Sequence, residues 1–184
     1  MGASRYFVPL FVAIFVLAIV VASPVNAANQ DPNRLGGAER PPELAGGWHY
    51  VRTPNPHGGA DAISIMHTAD TSRSDLDLAG LMIRCREGGT EVVIALLRTL
   101  PLRARPQVVF GKPGNEASFE ATVAPPFTAV LLPGDAATLV NGPWQAQDDL
   151  FIRVDEGSTT IRGVVALAGL QTAFRVLVSS CPIQ

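Results

Sequence analysis

The sequence predicts a mainly β protein: an antiparallel β-sandwich or partly open barrel with one C-terminal α-helix, preceded by a signal peptide. Three observations lead there. Glycine or proline recurs every 8–12 residues after Trp48, and the runs between are short and rich in β-branched residues. The apolar period changes to that of a helix only near the end of the chain. A separate apolar stretch, residues 6–22, stands at the start and is interrupted only by Pro9.

That first segment fits export. Met1-Gly2-Ala3-Ser4-Arg5 carries one positive charge, the apolar stretch follows, and Ser23-Pro24-Val25-Asn26-Ala27 ends in small residues at the −3 and −1 positions. Cleavage is therefore expected between Ala27 and Ala28. About 16 apolar residues fall short of the roughly 20 that span a bilayer comfortably, so membrane contact is expected only through this peptide before cleavage. No cysteine follows it to be lipidated, and Tyr6 breaks a myristoylation motif. A polar, Pro- and Gly-bearing linker is expected over 28–47 and a β-rich globular domain over 48–184.

The 184-residue chain is 47% hydrophobic and 16% charged, with formal net charge −2. Arg5 is the one charge before residue 28, so the remainder is more acidic and less apolar than the whole. A weakly acidic chain with 13 arginines and one lysine, Lys112, lacks the basic stripe that nucleic-acid binding needs.

Strands are expected over 48–53 and 62–68, where Ile63 and Ile65 share a face. A hairpin follows, 81–85 and 90–98, turning at Arg86-Glu87-Gly88-Gly89. Its second limb, Val92-Val93-Ile94-Ala95-Leu96-Leu97, is apolar on both faces and belongs in the middle of a sheet. Further strands are expected over 107–110, 117–123, 128–131, 150–154 and 159–166. Leu170, Ala173, Phe174, Leu177, Val178 and Cys181 then fall on one face of a helix that Pro182 stops.

Cys85 and Cys181 lie in the exported part, where disulfides persist. Their pairing would tie the terminal helix to the first hairpin; a buried free thiol and an intermolecular bridge are the alternatives. No signature of a catalytic cysteine surrounds either one.

Chemistry-bearing residues do not assemble into a motif. His49, His57 and His67 lack metal-ligand spacing, even with Asp61 and Asp70 nearby, so no metal or cofactor is expected. There is no Gly-x-Ser-x-Gly elbow and no Ser-x-x-Lys. Phe110-Gly111-Lys112-Pro113-Gly114 has the glycine and lysine of a phosphate loop without its spacing, and reads as a turn. Asp148-Asp149 and Asp155-Glu156 flank a strand and are expected in solvent. Arg84 and Arg86 share a strand face around Cys85, a spacing that Arg103 and Arg105 repeat, and are expected to pair with nearby acids. Asp70-Thr71-Ser72-Arg73-Ser74-Asp75-Leu76-Asp77, the most polar stretch of the domain, reads as a solvated connection.

The order of features resembles the VasI-like proteins encoded with type VI secretion systems. The likeness rests on Leu81-Met82-Ile83-Arg84-Cys85, the limb 91–97 and the ending Val165-Ala166-Leu167-Ala168-Gly169-Leu170, a short helix and Cys181. It implies an accessory or structural role in the cell envelope and supplies no catalytic residues.

The expectation is thus a periplasmic or secreted, non-enzymatic protein whose partner is another envelope protein. A small-molecule-binding module, with a pocket between the sheet and the helix, is the second expectation. A hydrolase built from His57, Asp61 and His67 is the third.

Overall fold

Alternating burial sorts the domain into ten strands, and the computed structural model describes residues 42–55 and 58–181 of the chain. The segments expected as signal peptide and as linker up to residue 41 lie outside the described residues, as does His57. One sheet has six strands: β1 (His49–Thr53), β2 (Ala62–Thr68), β3 (Leu78–Arg86), β4 (Gly89–Leu96), β8 (Ala129–Leu131) and β7 (Thr122–Ala124), in that spatial order. The other has four: β10 (Thr159–Ala166), β9 (Asp149–Glu156), β5 (Gln107–Phe110) and β6 (Ala117–Glu120). Every pairing is antiparallel. The fold is an open two-sheet arrangement, and the barrel alternative does not close.

The hairpins turn where glycine permits. Arg86 pairs with Gly89, so the turn between β3 and β4 holds only Glu87 and Gly88, the latter at φ 78°. Strand β4 lies inside the six-stranded sheet with Val92, Val93 and Ile94 all buried, as its two-faced apolar run requires.

The residues expected as one strand over 117–123 divide between the sheets. Strand β6 pairs with β5, while β7 pairs with β8 in the other layer. The corner is Ala121, 1% exposed, whose N–H donates to the Pro106 carbonyl at 2.9 Å. A small residue suits a strand that changes sheets through the packed interior. Between β8 and β9 the chain coils into a 3-10 turn (Gly134–Ala136), the short helix α1 (Ala137–Val140) and a second 3-10 turn (Pro143–Ala146). The residue pattern predicts only a turn at Pro133-Gly134-Asp135 in this stretch. Here Ala136, Val140 and Trp144 enter the core, with Trp144 edge-on to Phe110 at 5.0 Å.

Helix α2 (Leu170–Ser180) buries Leu170, Ala173, Phe174 and Leu177, while Val178 remains 51% exposed, so its apolar stripe is narrower than the pattern suggested. An isolated helix of this length is marginal in water. Burying Leu170, Phe174 and Leu177 contributes roughly 1.5–3 kcal/mol each, and that packing holds it.

Residues 42–47, read as the end of the linker, are folded against the domain. Glu43 bridges to His49, the Tyr50 N–H donates to the Pro42 carbonyl, and Leu44 packs on the core. Pro42 and Glu43 thus cover one end of the edge strand β1.

Candidate functional site

Cys85, in β3, and Cys181, which follows α2, form a disulfide with Cα atoms 5.6 Å apart, so the expected internal pairing is the one present. Neither is a free thiol.

The two described histidines are separate. His49 points away from the core side of Trp48, and its Nδ1 is buried without a hydrogen-bond partner. His67 packs edge-on to the buried Trp48 ring at 5.3 Å. Its Nδ1 lies 2.8 Å from the Thr68 carbonyl oxygen and its Nε2 3.0 Å from that of Gly46. This histidine joins the N-terminal segment to β2. Asp61 accepts from the Arg52 guanidinium at 2.5 Å. Both described members of the conceivable His57, Asp61 and His67 group are therefore engaged locally. Among the described residues no cluster of three or more His, Cys, Asp or Glu is placed to hold a metal ion.

The Asp70–Asp77 segment differs from its reading as a solvated connection, because it runs along the edge of β10. The Asp70 and Asp75 N–H groups donate to the Val164 and Arg162 carbonyls, each at 2.8 Å. In return the Val164 N–H donates to Ser74 Oγ at 2.9 Å, and the Arg162 N–H to Asp75 Oδ2 at 2.7 Å. The outward backbone groups of this edge strand are thus satisfied by a loop, which blocks further strand addition. Gly163 has no side chain where Ser74 and Leu78 press against it.

Arg73 locks this loop to the sheet. It donates through Nε to Asp70 at 2.6 Å and through both terminal nitrogens to Asp149 at 2.7 and 3.0 Å. Ser72 adds hydroxyl and backbone donors to Asp70. The Asp70 carboxyl is consequently lowered to about 2, first by the Ser72 hydroxyl and then by Arg73. Arg73 lowers Asp149 as well, and its own pKa is raised in turn, chiefly by the Asp149 hydrogen bonds. Of the four acids expected in solvent beside β9, two are therefore paired, Asp149 with Arg73 and Asp155 with Arg153 and Thr160. Arg84 pairs with Glu91 across the β3–β4 hairpin, and Arg86 lies 3.8 Å from the same carboxylate, in line with the local pairing expected of them.

On the outward face of the four-stranded sheet lies a cleft of about 390 Å³. Phe151 stands opposite Val164, and Val109 stands opposite Arg153. Val109 and Val164 belong outside the central core, yet they are only 7% and 4% exposed. The loop after β5 makes one wall, with Lys112 Nζ 5.2 Å from the centre of the Phe151 ring. Arg73, Arg153 and Arg162 stand around the opening. Sequence reasoning misses this place because its residues are scattered over three strands and two loops. The outward Phe151 and Arg153 in β9 are the one local sign of it.

A second surface feature is apolar. Leu76 is 83% exposed and Leu97 is 71% exposed. The Leu97 N–H donates to the Asp77 carbonyl at 2.8 Å, which brings these leucines to one end of the domain. Among the described residues no helix is long and apolar enough to cross a membrane.

The chain matches no family model and no curated protein. Its backbone is similar to that of invasion associated protein B from Bartonella henselae, with a TM-score of 0.49 and 11% identity, covering 74% of this chain and 95% of that one. The identity is too low to carry residue roles from one to the other.

Proposed function

We propose that this is an exported, non-catalytic protein of the bacterial cell envelope, periplasmic or secreted, that works by holding another envelope protein. The observation that carries the reading is the pair Leu76 and Leu97, two large apolar side chains left in solvent on backbone fixed by a hydrogen bond. Exposed apolar surface gathered at one end of a domain is the usual mark of a contact with another protein. The Cys85–Cys181 disulfide supports an oxidising compartment. The resemblance to VasI-like proteins supports an accessory place beside a secretion system.

A photo-crosslinker placed at position 76 of the full chain in its host tests this. The expected result is one discrete adduct in the envelope fraction, lost on Leu97→Ser. Protein retained in the cytoplasm with Met1 intact, or an adduct indifferent to Leu97→Ser, overturns the reading.

The second reading, a small-molecule-binding module, is favoured by the cleft over Val109, Phe151 and Val164, which lies on the outward face of the four-stranded sheet and not between sheet and helix. Its volume of about 390 Å³ falls in the roughly 300–1,000 Å³ range of small-ligand sites.

A further inference from the structure

We infer that the cleft on the outward face of the four-stranded sheet binds a small amphipathic carboxylate, its apolar body on Val109, Phe151 and Val164 and its carboxylate on Arg162. The inference rests on the small-molecule reading and names the ligand class.

Strand register sets the charges of the cleft. Arg162 of β10 is directly opposite Arg153 of β9, on the same outward face. Like charges in that position repel unless compensated. Arg153 is compensated twice, by Asp155 at 2.9 Å and Glu116 at 3.5 Å. Arg162 is exposed and enters no ion pair among the described residues. Its backbone is nevertheless held on both sides, by β9 and by Asp75, so the guanidinium projects from a fixed base.

The other charges around the opening are already matched. Asp70 and Asp149 are taken by Arg73, and Asp155 and Glu116 by Arg153. Lys112, beside the cleft and over the Phe151 ring, likewise enters no ion pair among the described residues. The cleft therefore offers an apolar floor beside two cations without ion pairs; Asp70, Asp149, Asp155 and Glu116 are held by other arginines, and Asp75 accepts the Arg162 backbone N–H.

An anion with an apolar body complements both properties. A bare inorganic anion would leave the half-buried Phe151 ring uncovered, and a neutral hydrocarbon would leave the guanidinium unmatched. A carboxylate suits Arg162 because the planar fork donates two parallel hydrogen bonds to its two oxygens. Gly111, whose N–H donates to the Phe151 carbonyl at 3.0 Å, fixes the start of the loop that walls the cleft. At about 390 Å³ the cleft suits a small molecule rather than a folded partner.

The test uses octanoate and phenylacetate as probes, with octanamide and phenylacetamide as neutral counterparts, followed by calorimetry and by backbone amide shifts in the disulfide-intact protein. The two acids distinguish an acyl from an aromatic body. Saturable binding of at least one acid is expected, with shifts centred on Val109, Phe151 and Val164. Its amide and the Arg162→Gln variant should bind at least about tenfold more weakly, as loss of a charge-assisted pair implies. Arg175→Gln, on helix α2, should bind as the parent does, and unchanged thermal melting of Arg162→Gln separates lost binding from lost folding.

Equal binding of acid and amide, full binding by Arg162→Gln, or no shift at these residues overturns the inference. Absence of any adduct from position 76 of the parent chain, with carboxylate binding intact, overturns only the protein-partner reading. Binding of the acids at some other surface removes the carboxylate assignment and leaves the partner reading untouched.

Discussion

Asp75 and Arg162, 87 residues apart, are joined by two hydrogen bonds. The Asp75 N–H donates to the Arg162 carbonyl at 2.8 Å, and the Arg162 N–H returns a bond to Asp75 Oδ2 at 2.7 Å. Together with Ser74 and Asp70 on Val164, this turns a polar loop into a substitute strand along the edge of β10. The site proposed for a carboxylate depends on it, since Arg162 and Val164 are the residues the loop fixes.

Removing an acceptor from this clasp should loosen the edge. Ser74→Ala leaves the Val164 N–H without its partner in a partly buried setting, at a cost of about 1–3 kcal/mol. Urea denaturation should show the lower midpoint, and the Val164 amide should exchange faster. A midpoint and an exchange rate equal to the parent's would contradict the clasp.

The clasp should also weaken in acid. Folding lowers Asp70 from its ordinary 3.8 to about 2, through the Ser72 hydroxyl first and Arg73 next. A carboxylate depressed by folding adds stability above its unfolded pKa and loses it as pH falls through the folded one. The loss should therefore run from about pH 4 down to about pH 2, and Asp70→Asn should flatten it. Asp149, lowered by the same Arg73, contributes in the same direction. Denaturation midpoints measured across that interval check the slope.

Reduction of Cys85–Cys181 should destabilise the whole domain. Opening a loop of 96 residues returns chain entropy to the unfolded state, a loss of stability of about 4–5 kcal/mol. The double variant Cys85→Ser, Cys181→Ser should reproduce it, with α2 the first element to lose amide protection. A reduced protein as stable as the oxidised one would show that the bridge does not hold the fold.

Gly169→Ala should separate the two ends of the domain. Gly169 has φ 78°, and an added Cβ would run into the Ala45 carbonyl of the N-terminal segment. The left-handed backbone alone costs about 1–2 kcal/mol for a residue with a side chain. Thermal melting should fall, and faster exchange of the Tyr50 amide, which donates to Pro42, would report release of that segment.

Local rules reach far into this protein. Spacing of glycine and proline marks the hairpins, two-faced apolarity puts β4 inside its sheet, and a period of 3.6 residues locates α2 almost to its ends. Those features are written in neighbouring residues. The segment 117–123 looks continuous because a strand that changes layers keeps its strand-like composition; only the packing around Ala121 divides it. The 134–146 coil escapes such reading because its buried residues, Ala136, Val140 and Trp144, lack a period long enough to register.

The sequence by itself determined the β-rich class, the terminal helix and a cysteine pair able to close in one internal way. Tertiary structure decided that Asp70–Asp77 is an edge seal, because its partners in β10 lie some 90 residues away in the chain. It also decided which cations are spent and which remain. Arg73, Arg153 and Arg162 are alike in sequence, and only the register of β9 against β10 and the position of the loop leave the Arg162 guanidinium outside the ion pairs that hold the other two.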